Sequence, residues 1–158
     1  MLPGMYGIAA PYWKETAPTL FHGPGKLPSM EVQLRAGMES IAFLTADILE
    51  RLSQISGFEV GRITAGGGAG RRPLLQFQAD LLGMPIHHSF ITDATALGCA
   101  FLTGLQVGFW RDIPEIQSLV REGETFYPQL SPALRQGLLD HWHQLLRSHG
   151  VTPGAESF

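Results

Sequence analysis

FEVGRITAGGGAGRRPLL, residues 58–75, is the stretch on which the fold turns. Its first seven residues, Phe58 to Thr64, mix β-branched and aromatic side chains and predict a strand. Gly66-Gly67-Gly68-Ala69-Gly70 then predicts a turn, and Pro73, with its φ already set for a first helical turn, predicts a helix over Pro73–Leu82. A glycine run between a strand and a helix has a definite physical use. Without Cβ atoms the backbone comes close to a ligand, and the following helix offers free N–H groups and partial positive charge to an anion.

Two familiar forms of this device are excluded by spelling. A Walker A loop ends in Gly-Lys-Ser/Thr, whereas this one ends Gly70-Arg71-Arg72-Pro73. The dinucleotide fingerprint wants glycine at its first, third and sixth positions; Gly66 and Gly68 fit, but the sixth is Arg71. Two cations at a helix N-terminus oppose the macrodipole by roughly 0.3–1 kcal/mol each, and a bound phosphate would reverse that sign. Arginines turned to solvent would make the penalty trivial. A ligand turn and a bare turn both stand at this level.

Upstream, Glu31 to about Ser56 has helical periodicity. Val32, Ala36, Glu39 and Phe43 lie along one row, and Leu34, Met38, Ile41, Leu44, Ile48, Leu52 and Ile55 supply a broad apolar stripe, with Gly57 placed to end the helix. Residues 1–30 are punctuated by Gly4, Gly7, Pro11, Pro18, Gly23, Pro24, Gly25 and Pro28, and read as a long structured loop or a pair of short strands around Met5–Ala9 and Thr19–Phe21.

Downstream, Gly83 breaks the helix and Met84–His88 predicts a second short strand. Asp93–Phe109 predicts a helix whose small residues suit close packing on a sheet. Glu115–Val120 adds a short helix, and Ser131-Pro132 opens a last one running to Gly150. Helices alternating with strands imply an α/β layer with parallel strands. Two strands are too few for a free-standing parallel sheet, so the chain reads as one part of a larger unit. A body over 1–150 and a flexible tail over 151–158 are expected.

The 158 residues are 44% hydrophobic and 16% charged with formal net charge −3, which is ordinary for one folded domain. Neither a basic face nor a Lys/Arg run points to nucleic acid or an anionic membrane. Neither a signal peptide nor a membrane span is indicated, and a single cysteine is in keeping with an expected reducing, cytoplasmic home. Cys99, the one cysteine, has small or apolar neighbours and reads as a buried structural thiol.

Several other residues invite chemistry and are assigned to structure. His87 and His88 point to opposite faces of a strand, and His141 and His143 diverge by about 200° on a helix, so neither pair chelates one metal. Asp93 reads as a helix cap, and Tyr12-Trp13 as packing. Ser40, Ser53 and Ser56 lack an attendant histidine and acid at recognisable spacing. Neither a catalytic residue nor a metal ligand is assigned.

Four segments together resemble the FGGY carbohydrate kinase family, its glycerol kinase-like members above all. They are Gly7–Trp13 (GIAAPYW), Leu34–Leu49 (LRAGMESIAFLTADIL), Gly66–Ile86 (GGGAGRRPLLQFQADLLGMPI) and Asp93–Trp110 (DATALGCAFLTGLQVGFW). They occur in the family's order with similar spacing, and the resemblance covers about Gly4 to Trp142.

The resemblance implies part of a ribonuclease H-like, actin-like ATPase domain with a few parallel strands packed by helices. It implies ATP with Mg²⁺ as cofactors, a sugar or polyol as substrate, an N-terminal kinase domain as partner, and a homo-oligomer as a further possibility. Gly66 and Gly67 would form the turn that passes the nucleotide, Gly68 and Ala69 would continue it, and Arg71 falls where glycerol kinases carry an asparagine near the adenine. Ala65 replaces an acidic residue, and Arg71-Arg72 replaces Asn-Asn. The wording of Gln76–Gln78 and Val107–Trp110 makes glycerol the first expectation for substrate.

The family's general-base aspartate, early phosphate turn and sugar contacts lie upstream of the matched segments, so this chain alone is not expected to phosphorylate anything. The competing readings are a stand-alone nucleotide- or partner-binding module without catalysis, and a structural domain whose loop is unused. Made alone, the chain is expected to expose apolar surface and to associate.

Overall fold

The structure, a computed structural model, describes residues 1–152 apart from Met5, Pro24, Lys26, Phe58, Ala69 and Arg121. Two short strands, β1 (Leu2–Pro3) and β2 (Thr19–Leu20), pair antiparallel at the start of the chain. The 27-residue helix α1 (Met30–Ser56) follows. Its end is local chemistry: Gly57 sits at φ 64° in the left-handed region, and its N–H donates to the Ser53 carbonyl.

The sheet that carries the glycine turn comes next. Strand β3 (Ile63–Ala65) leads through the turn into α2 (Arg72–Leu82), and β4 (Ile86–Ser89) returns parallel to β3, Ile63 opposite Ile86 and Ala65 opposite His88. Helices α3 (Ala94–Gln106) and α4 (Ile113–Leu119) precede β5 (Glu122–Phe126), and α5 (Pro132–Ser148) closes the body. Strand β5 runs antiparallel to β4, giving the order β3-β4-β5. The sheet is therefore mixed, with a third strand that the sequence reading lacks. Its pairing supplies what its composition does not: Glu122-Gly123-Glu124 has no apolar alternation, and Phe126 reaches the core.

Three apolar clusters among the described residues hold the body. Leu75 and Ala79 of α2 pack on Ile86 and Phe126 beneath the sheet. Ala42 of α1 packs with Leu74 and Leu81 of α2. Leu2, Ile8, Tyr12, Trp142, Leu145, Leu146 and Val151 join the N-terminal turn to α5. Phe43 belongs to two of these: its ring stacks on Trp142 at 5.1 Å and meets Phe77 edge-on at 5.7 Å. Val151, which the sequence reading places in the tail, is buried; residues 153–158 lie outside the described residues.

Two expectations about packing need correction. Cys99 is exposed, because α3 keeps only Gly104 buried and turns most of its length to solvent instead of pressing on the sheet. Leu102, Val107 and Phe109 are exposed with it. Likewise the broad stripe of α1 is half used: Leu34, Ile41, Leu52 and Ile55 are exposed, while the buried side is Ser40, Ala42 and Asp47. An uncovered apolar face of this extent is what a portion of a larger body presents.

Candidate functional site

The glycine turn begins where β3 ends. Its four glycines serve different ends. A Cβ on Gly66 would lie 3.1 Å from the Ser89 Cβ and 3.4 Å from the Ile91 carbonyl oxygen, a tight fit that glycine avoids where the chain lies close to the end of β4. Gly67 adopts φ 81°, and its N–H donates to the Ile91 carbonyl at 3.1 Å. The Gly70 N–H then donates to the Gly67 carbonyl at 3.1 Å and closes the turn. No side chain among the described residues plugs it: a Cβ on Gly67 or Gly68 would meet nothing within 4 Å. Ala69 lies outside the described residues.

The two arginines part here. Arg72 makes a two-pronged ion pair with Glu124 on β5, one contact at 2.9 Å, and its guanidinium lies 5.7 Å from the centre of the Phe126 ring. Arg71, the N-cap of α2, is exposed, and its side chain makes no hydrogen bond or ion pair among the described residues. The helix lacks a side-chain cap, so its first N–H groups stay available. Of the two arginines, Arg71 alone, among the described residues, is left without a side-chain partner at the mouth of the turn. The sequence could not separate them, because Glu124 lies 52 residues from Arg72.

The histidines and the cap also find their places. His87 Nδ1 is 3.0 Å from Thr125 Oγ1, and the His88 ring meets Phe90. The Asp93 carboxylate accepts from the Ala96 N–H at 3.0 Å, as a helix cap does. His141 lies against the ring of His22 while His143 turns to Asp47.

Asp47 is the residue that sequence reasoning missed. It is buried at mid-helix on α1 and gathers partners from two segments, the N-terminal turn and α5. Its Oδ2 accepts from the Tyr12 hydroxyl at 2.9 Å and from the Trp142 indole N–H at 2.7 Å. Its Oδ1 lies 2.8 Å from His143 Nε2. The available signal was its place in the row of Ala36, Glu39 and Phe43, an acid where an apolar residue is expected.

Burial first, and the neighbouring Asp47 carboxylate second, push the Tyr12 hydroxyl well above its ordinary value of 10.0. The folded chain thus keeps a proton that the unfolded chain releases. The stability tied to Tyr12 is intact below pH 10 and is lost as pH climbs beyond it. Denaturant midpoints should therefore fall from about pH 10 upward, and Tyr12→Phe should flatten that decline; an equally steep decline in the variant would contradict the assignment.

With the geometry in hand, comparison with known proteins assigns the class. Residues 1–107 match the family model described as the C-terminal domain of the FGGY family of carbohydrate kinases, and the chain belongs to that family. Glycerol kinase from Dechloromonas aromatica is 39% identical over 145 residues, which are 91% of this chain and 29% of that protein. Glycerol kinase 1 from Clostridium tetani is 35% identical over 148 residues, 93% of this chain and 30% of that one. The chain thus spans about 30% of the length of the curated relatives it matches.

Among solved structures, Plasmodium falciparum glycerol kinase with ADP matches at TM-score 0.78 and 26% identity, over 96% of this chain and 30% of that one. Xylulose kinase from Lactobacillus acidophilus, at TM-score 0.73 and 23% identity over 96% of this chain and 31% of that one, shares the fold. The α/β layer is accordingly a portion of the actin-like ATPase fold of the sugar kinases. No helix among the described residues is long and apolar enough to cross a membrane.

Proposed function

We propose that this chain supplies the nucleotide side of an ATP-dependent kinase acting on a sugar or polyol, with glycerol the first candidate. The observation that supports this best is the open turn at Gly66–Gly68 at the start of α2, set in a chain similar to a glycerol kinase whose structure holds ADP. Gly66 and Gly67 bring bare backbone to the ligand, Gly68 continues the cradle, and the exposed Arg71 stacks on the base or reaches a phosphate.

In the assembled enzyme a substrate hydroxyl attacks the γ-phosphate in line, and positioning and charge stabilisation supply most of the rate. Mg²⁺ accompanies the nucleotide and offsets its charge; this site assigns it no protein ligand. The hydroxyl-binding and base-supplying groups come from an N-terminal kinase domain, without which this chain transfers no phosphate. A cytoplasmic setting and association into oligomers complete the reading.

Calorimetry with ADP and Mg²⁺ tests the nucleotide site. Saturable binding is expected, and flat heats would overturn the reading. Arg71→Ala should weaken ADP binding about tenfold, the worth of one charge-assisted contact, with unchanged affinity removing Arg71 from the site. Phosphate transfer from ATP to glycerol should be undetectable with this chain alone and should appear when the N-terminal half of a related glycerol kinase is supplied.

A further inference from the structure

We propose that Asp47, Glu50 and His143 form a binding site for a divalent transition metal, Zn²⁺ being the ion of best fit, which clips α1 to α5. Asp47 and Glu50 are three residues apart on α1 and so share a face, and His143 reaches them from α5. One ligand atom from each lies within 4.8 Å of the others. The shortest separation, 2.8 Å between His143 Nε2 and Asp47 Oδ1, is a hydrogen bond that needs to open only to about 3.3 Å for the two atoms to be neighbouring ligands of a tetrahedral ion.

What sets this group apart from a solvated acidic patch is its support. The two donors on Asp47 Oδ2, from Tyr12 and Trp142, come from outside the group and hold the carboxylate so that Oδ1 faces His143. Orienting hydrogen bonds of this kind lie behind most metal-binding carboxylates and imidazoles. The carboxylate is buried and His143 is partly so, while Glu50 is exposed and can swing inward. A cavity of about 270 Å³, lined by all three together with Pro11 and Tyr12, leaves room for water as a further ligand.

The choice of ion follows from the charges. Arg51 and Arg147 line the same cavity and offset the two carboxylates. Hard ions such as Ca²⁺, which depend on many oxygen ligands and accumulated charge, are therefore poorly served. A mixed imidazole and carboxylate set suits Zn²⁺.

The test titrates Zn²⁺ alone into the intact chain by calorimetry and follows thermal unfolding, with Co²⁺ as a spectroscopic stand-in. One Zn²⁺ per chain and a raised Tm are expected, together with Co²⁺ visible bands. His143→Gln, which keeps a side-chain N–H for Asp47, and Glu50→Gln should each lower affinity at least tenfold and weaken the bands. The double variant His22→Ala, His141→Ala, which removes the neighbouring histidine pair, should bind as before. Wild-type affinity in His143→Gln, no Zn²⁺-dependent rise in Tm, or loss of binding in the His22, His141 variant would each overturn the site.

Discussion

Replacing Asp47 with alanine should cost about 2–5 kcal/mol of folding stability, the largest effect expected of a single polar substitution here. The change strands the Tyr12 hydroxyl and the Trp142 indole N–H, both on buried side chains, and each unsatisfied buried donor costs about 1–3 kcal/mol. Asp47→Asn separates this mechanism from loss of charge. Its amide oxygen has two lone pairs and can still accept from both donors, so it should retain most of the stability. Urea denaturation measures both; equal losses in the two variants would show that charge, not donor satisfaction, is what matters.

The second large effect falls on ligand binding rather than folding. Gly67→Val places a β-branched residue at φ 81°, a strain of roughly 1–2 kcal/mol, yet its Cβ meets nothing in the folded chain. Packing is therefore untouched, and the side chain projects over the open turn. ADP affinity should fall more than tenfold while the chain stays folded. Gly61→Ala, on the approach to β3, where a Cβ also meets nothing within 4 Å, should bind ADP as wild type does. Unchanged affinity in Gly67→Val would show that the nucleotide does not lie against this turn.

The parts of the fold legible in the sequence are those decided over a few residues. Gly57 ends α1 through one left-handed glycine, Pro73 lies in the first turn of α2, and Asp93 caps α3 through a hydrogen bond three residues on. None of these needs a distant partner. The strand β5 was invisible because Glu122-Gly123-Glu124-Thr125-Phe126 becomes a strand only by pairing with β4, more than thirty residues earlier. The exposure of Cys99 was misread for a related reason. Apolar neighbours along a helix say what it could bury, not what is there to cover it.

The candidate site divides along the same line. The turn at Gly66–Gly68 and the position of Arg71 could be read directly, since backbone freedom and a helix start are local properties. The pairing of Arg72 with Glu124 and the role of Asp47 could not. Asp47 meets Tyr12 across 35 positions and Trp142 across 95, and no periodicity along α1 distinguishes an acid that will be satisfied from one that faces water.

Phe43 gives the molecule its cohesion. A ring stacked on Trp142 and met edge-on by Phe77 ties two clusters together and loosens when either neighbour departs. Melting of the N-terminal hairpin end and of the α2 end should therefore coincide in a single thermal transition, and the backbone amides around the middle of α1 should be the last to exchange with deuterated water.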